Sequence, residues 1–122
     1  MSSGDSPDLF DLGLHYFKTQ KYFEAHDAWE ELWSDRGLQD RAFIQGLIQL
    51  AVAIVHLENN NLNGARSMTK KALAKINKYL GFVRGINVDN LKVQLNKFQN
   101  SIENISLYSE LDLHIIPTIN LE

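Results

Sequence analysis

The longest feature of the hydrophobic pattern lies in the middle of the chain. From Ala42 through Leu57, 16 consecutive residues include no Asp, Glu, Lys or Arg. Apolar side chains there recur almost all round a helical projection, which marks a helix buried on most of its sides. The run predicts a central helix over about 38–58. A bilayer span takes about 20 predominantly apolar residues, so this shorter run, broken by polar side chains, is expected to be a core helix. Four flanking segments repeat the helical period with one apolar face each. The first ends near Thr19 and turns Leu9, Phe10, Gly13, Tyr16 and Phe17 inward; Ser6, Pro7 and Asp8 read as its cap, first helical position and dipole-favoured acid. Gly13 costs helix propensity, which argues that it admits a close neighbour. The second segment runs from about Tyr22 to Asp35, with Gly37 placed as a left-handed cap. The fourth covers about 62–80, capped by Asn61 or Asn63, and buries Ala65, Met68, Ala72, Ile76 and Tyr79. Gly81 ends it and Gly85 lies in the loop beyond. The fifth starts at Asn87 or Asp89 with a stripe at Leu91, Leu95, Phe98, Ile102 and Ile105. The expected fold is all-α, a compact bundle of about five helices in one domain over 1–122. Residues 1–7 are expected to be flexible and 107–122 to form an irregular tail packed on the bundle.

Candidate chemistry concentrates in Phe23–Trp33, FEAHDAWEELW. At about 100° per residue, Tyr22, Phe23, His26, Trp29, Glu30 and Trp33 share one side of a helix. Glu24, Asp27, Glu31 and Asp35 gather on the other. His26 and Glu30, one turn apart, are thereby expected on an inward aromatic face. A carboxylate facing a core is costly unless it is paired or protonated. The central helix offers partners in Gln45, Gln49 and His56, which project within a narrow stripe. The spacing predicts a semi-buried cluster of His26, Glu30, Gln45, Gln49 and His56, walled by Trp29 and Trp33.

Composition narrows the classes of function without choosing one. Net charge is −3 over 122 residues, so there is no overall pull toward nucleic acid or anionic membranes. Cysteine is absent, which removes disulfides and thiolate chemistry and fits a reducing, cytoplasmic setting. The N-terminus shows no basic region followed by an apolar stretch, so no secretory signal is expected.

Gly13 with Phe17, FEAHDAWEELW, Arg41 with FIQGLIQLA, and NLNGA at Asn61–Ala65 together resemble the family called domain of unknown function 309, over roughly Leu9 to Leu80. Its His-x3-Glu-x2-Trp signature falls on His26, Glu30 and Trp33. Asp27 stands where the family usually has Glu, on the acidic side of the projection. The resemblance implies a compact helical bundle of bacteria and plastid-bearing lineages with no established activity.

Several roles compete for the cluster. His26 and Glu30 as catalytic candidates form the kind of opposed pair from which acid–base dyads are built. With His56 they also offer two histidines and a carboxylate to a divalent metal, although two evident ligands are one too few, and no cofactor is predicted. Trp29, Trp33, Gln45, Gln49 and His56 could bind a small molecule between helices. The plainer alternative is a structural hydrogen-bond network within a protein-interaction module. Between Glu24 and Asp40 there are six acids and one base, while Asn59–Asn87 holds six bases and no acid. That asymmetry could orient a homo-oligomer or another protein. Nucleic acid is a poorer partner, because aromatics are not interleaved with the bases.

Overall fold

Five helices account for most of the chain in the computed structural model, which describes residues 8–121: α1 (Leu9–Lys18), α2 (Tyr22–Trp33), α3 (Arg41–Glu58), α4 (Leu62–Ile76) and α5 (Val88–Glu103). The all-α expectation holds with one addition. Strands β1 (Phe82–Val83) and β2 (Ile86–Asn87) form a small antiparallel hairpin between α4 and α5. Arg84 and Gly85 carry its turn at φ +51° and +81°. Left-handed backbone at both central residues suits the twist of a two-residue hairpin loop.

α3 sits at the centre, packed by α2 on one side and α4 on the other. By length and composition it is the one described helix that would suit a membrane span. Ten of its 18 residues are instead buried within the bundle, as a core helix requires. It begins at Arg41, later than position 38, because Asp40 is held outside the helix. Arg84 Nε and Nη2 donate to the Asp40 carboxylate at 2.5 and 3.0 Å. Those hydrogen bonds keep the Asp40 carboxyl below its usual pKa, against the opposing effect of burial. The same guanidinium stands 5.0 Å from the Phe10 ring centroid, so one arginine ties the hairpin to both α1 and the α2–α3 loop.

The helix ends differ in detail from those expected. Asp8 is itself the cap of α1, accepting from the Phe10 and Asp11 N–H groups at 3.0 and 3.3 Å. Ser6, Pro7 and the expected flexible segment 1–7 lie outside the described residues. Gly37 is not a left-handed cap; its N–H donates to Asp35 Oδ1 at 2.9 Å. The end of α2 is closed by Arg41, whose Nη1 donates to the carbonyls of Trp33 and Asp35 at 2.6 and 2.9 Å. A cation on the last carbonyls of a helix also opposes the dipole. Arg66 does the same for α5, donating to the Ile102 and Ile105 carbonyls at 2.9 and 2.8 Å. α4 stops at Ile76 rather than near 80, and the turn beyond it lets the Tyr79 hydroxyl accept from the Phe43 N–H at 3.2 Å.

The C-terminal segment is irregular, with two short 3-10 turns at Tyr108–Glu110 and Leu113–Ile115. It is nonetheless tied down. Leu111 and Ile119 are buried, and Gln94 donates to the Thr118 carbonyl while accepting from its N–H, both at 2.8 Å.

Candidate functional site

Two tryptophans one turn apart in α2 define two different environments. Trp29 is fully buried and its Nε1–H donates to the Phe10 carbonyl at 3.2 Å. Its ring lies directly on Gly13, where an added Cβ would come within 2.1 Å of Nε1. The close neighbour expected at Gly13 is therefore this indole, which belongs to the core between α1 and α2 rather than to the wall of a pocket. Trp33 is half-buried at the other edge of α2. The Arg41 guanidinium stacks 4.0 Å from its ring centroid, and its Nε1 is screened from solvent without a hydrogen-bond partner.

The buried arc of α2 is Tyr22, Ala25, Ala28 and Trp29. It is rotated away from the arc expected from the aromatics alone. Phe23 is 58% exposed, and the Glu30 side chain is 51% exposed. Glu30 is thus a surface carboxylate, not one facing the core. His26 lies between these extremes at 25%. Its Nε2 stands 3.4 Å from Glu30 Oε1, and its Nδ1 stands 3.2 Å from Asp27 Oδ1. The second approach lacks hydrogen-bond alignment, so Nδ1 is a buried polar atom with no partner.

α2 and α3 run antiparallel. Arg41 at the start of α3 meets the end of α2, while at the opposite end the Glu58 charge reinforces burial in raising the pKa of the Tyr22 phenol. The polar stripe of α3 is real: Gln45, Gln49, Val52 and His56 are all half-buried along one line. It does not close into a cluster. Gln45 and His56 are about 16 Å apart along the axis at 1.5 Å per residue. His56 belongs to the α3–α4 turn, where its Nδ1 lies 3.3 Å from Asn61 Nδ2. Gln49 Oε1, midway along the stripe, is screened and has no partner.

Among the described residues no group of three or more His, Asp or Glu side chains could hold a metal ion. The set His26, Glu30 and His56 is not assembled. The clefts lie elsewhere, one of about 140 Å³ among Phe17, Tyr22, Pro117 and Ile119, another of about 260 Å³ along the α1–α2 groove at Leu12, Tyr16 and Glu24. Neither is walled by His26 or Glu30. The residue that sequence reasoning undervalued is Arg41. It closes α2 and stacks on Trp33, and its sequence signals are a cation immediately before the long uncharged run and its place in the family resemblance.

The class defined by this geometry is a small helical domain whose central helix keeps one half-buried stripe, Gln45, Gln49, Val52 and His56. The family described as Domain of unknown function (DUF309) matches residues 10–68, α1 through the first half of α4, and the chain is similar to it over that stretch. The chain is also similar to the "Uncharacterized protein YpuF" of Bacillus subtilis (strain 168), 28% identical over 108 residues. That alignment covers 86% of this chain and 62% of the relative, so the chain spans less than two thirds of the relative's length. No solved structure matches the chain.

Proposed function

We propose that this chain is a protein-interaction module whose docking face is the α2–α3 seam. One observation carries it. His26 Nδ1, Trp33 Nε1 and Gln49 Oε1 are screened from water yet have no hydrogen-bond partner. All three sit on the two helices that form the seam. Leaving a buried polar group unpaired costs about 1–3 kcal/mol, so three in one place are a standing cost that a docked chain would offset by drawing aside the side chains that cover them. The side of α3 that carries Gln49 and Val52 is also the side its neighbours leave partly open, whereas its other faces are fully packed. A catalytic role for His26 and Glu30 has less support, since neither described cleft reaches them and Glu30 is half solvated. The absence of cysteine suits work in a reducing cytoplasm.

The test is site-specific photocrosslinking in the native cells, with the photoreactive residue at Val52 in the seam or at Val93, 52% exposed on α5, as the matched control. A discrete adduct from position 52 and none from 93 is the expected result. No adduct from 52 would overturn the proposal.

A further inference from the structure

We infer that the α1–α2 groove is a second docking face, and that it takes a basic amphipathic helix from another protein. This groove lies on the other side of the α2 buried arc from His26 and Trp33, so the inference does not depend on the α2–α3 seam.

α1 carries more apolar surface than the core takes up. Its buried arc is Phe10, Gly13, Leu14 and Phe17. Leu9, Leu12 and Tyr16, at i, i+3 and i+7, form a second stripe about 120° round the helix. All three stay half-buried. With Ala28 of α2 they line the cleft of about 260 Å³ between the two helices. A stripe with that spacing is what a helix laid alongside packs against.

α2 supplies the charge. Glu24, Asp27 and Glu31 line the same cleft, again at i, i+3 and i+7. That spacing keeps them within about 60° of arc and about 10 Å of helix axis. All three are exposed, and no Lys, Arg or His lines the cleft with them. Asp27 Oδ1 stands 3.2 Å from His26 Nδ1, whereas Glu24 and Glu31 make no ion pair among the described residues.

An apolar strip with one acidic edge selects its occupant by charge. Three carboxylates repel nucleic acid and anionic membranes. An extended strand finds no open backbone edge here, because both walls are helices whose N–H and C=O groups bond internally. A helix fits both features. Lying about 8–10 Å from each wall, it rests apolar side chains on Leu9, Leu12 and Tyr16. Lys or Arg at the same three- and four-residue spacing then meets Glu24, Asp27 and Glu31. Residues 1–7 of this chain do not supply that charge, since they hold no Lys, Arg or His. Two turns of contact place the complex at the small, transient end of specific interfaces, reversible and weakened by salt.

The test is fluorescence anisotropy of a labelled probe peptide titrated with the full chain, with amide NMR shifts to locate the site. The probe is a Leu, Lys and Ala helix of about four turns, with its Leu and Lys residues on adjoining faces. It is expected to bind, more weakly at high salt, and to shift amides in 9–16 and 24–31. A scrambled peptide of the same composition is expected to bind about tenfold more weakly or worse, because its charge and apolar faces no longer coincide. Glu24→Lys with Glu31→Lys is expected to weaken binding of the amphipathic probe by about tenfold or more. Leu12→Ser is expected to weaken it as well, and Glu103→Gln, at an exposed carboxylate ending α5, to leave it unchanged. Circular dichroism checks helix content for every variant. A probe that does not bind, a scramble that binds equally, or shifts confined to the Gln45–His56 stripe overturns the inference. So does a folded Glu24→Lys, Glu31→Lys variant that binds like wild type.

Discussion

Trp29 and Trp33 are the same residue, four positions apart in one helix, yet they stand for two different kinds of surface. Trp29 has every requirement met: full burial, a carbonyl for its N–H and a glycine that makes room for its ring. Trp33 has a cation on its face and an N–H that is shut away from water with nothing to bond. The difference arises from what lies across from each. α1 closes over the Trp29 side of α2, whereas Trp33 is half-buried at the edge of the core with the Arg41 guanidinium on its face. A completed contact holds the fold, and the incomplete one is what the interaction proposal rests on.

The sharpest way to break that contrast is to disturb the completed side. Gly→Ala inside a helix ordinarily gains about 1 kcal/mol of propensity. At Gly13 the sign should invert, because the new methyl meets the rigid indole of Trp29 rather than the end of a flexible chain. Gly13→Ala is expected to cost about 3 kcal/mol, read as a lower urea midpoint. Trp29→Phe should cost about 2 kcal/mol, by removing buried volume and the indole hydrogen bond to the Phe10 carbonyl, which keeps its helical partner. A neutral Gly13→Ala would mean that the α1–α2 packing is not the rigid contact described.

A smaller effect is expected where the α2–α3 loop is clamped. The Asp40 carboxyl is held below its usual pKa chiefly by its hydrogen bonds from Arg84. A carboxyl whose folded pKa is depressed contributes stability above its unfolded pKa and loses it as pH falls through the folded value. Stability should therefore decline below about pH 4, the range of an ordinary aspartate. Asp40→Asn should cost about 1 kcal/mol at neutral pH, because the pair is only partly screened from water. The variant should also show a shallower decline in acid. Thermal melts between pH 3 and 7 check both.

On the open side the expected sign changes again. Trp33→Phe keeps a ring for Arg41 to stack on and deletes the unpaired N–H. The isolated chain should be unchanged or up to about 1 kcal/mol more stable. Crosslinking from Val52 should weaken in the same variant, since docking that draws aside the cover of this donor would then have no bond to gain. Destabilisation comparable to that of Trp29→Phe would place Trp33 with the core and remove the contrast.

Much of this organisation was legible in the residues. The uncharged run from Ala42 to Leu57 could only be a central helix, and Gly13 announced a close neighbour before that neighbour was known. The orientation of α2 was misjudged for a definite reason. Aromatic side chains dominate a helical projection, but α2 is gripped from two sides, and small Ala25 and Ala28 mark where its neighbours come close. Their burial swings Phe23 and Glu30 outward. The β1–β2 hairpin left no periodic trace because its strands are two residues each. The latching roles of Arg41, Arg66 and Arg84 do not show in the sequence for another reason. Each reaches a carbonyl or carboxylate whose location depends on how the helices are stacked.

Glu30 gives the smallest expected effect and the most discriminating one. Had it faced the core as a paired carboxylate, Glu30→Gln would cost about 2 kcal/mol or more. In the structure it is half exposed and approaches only His26 at 3.4 Å, an i, i+4 surface pair. Such pairs contribute about 0.3–0.5 kcal/mol, so the urea midpoint of Glu30→Gln should move by no more than that. If the seam is a docking face, the same neutral substitution should still weaken association, since a charge beside the stripe acts on a partner and not on the fold. A change in stability without a change in association would put Glu30 back in the structural network. A change in association without a change in stability would identify it as part of the interface.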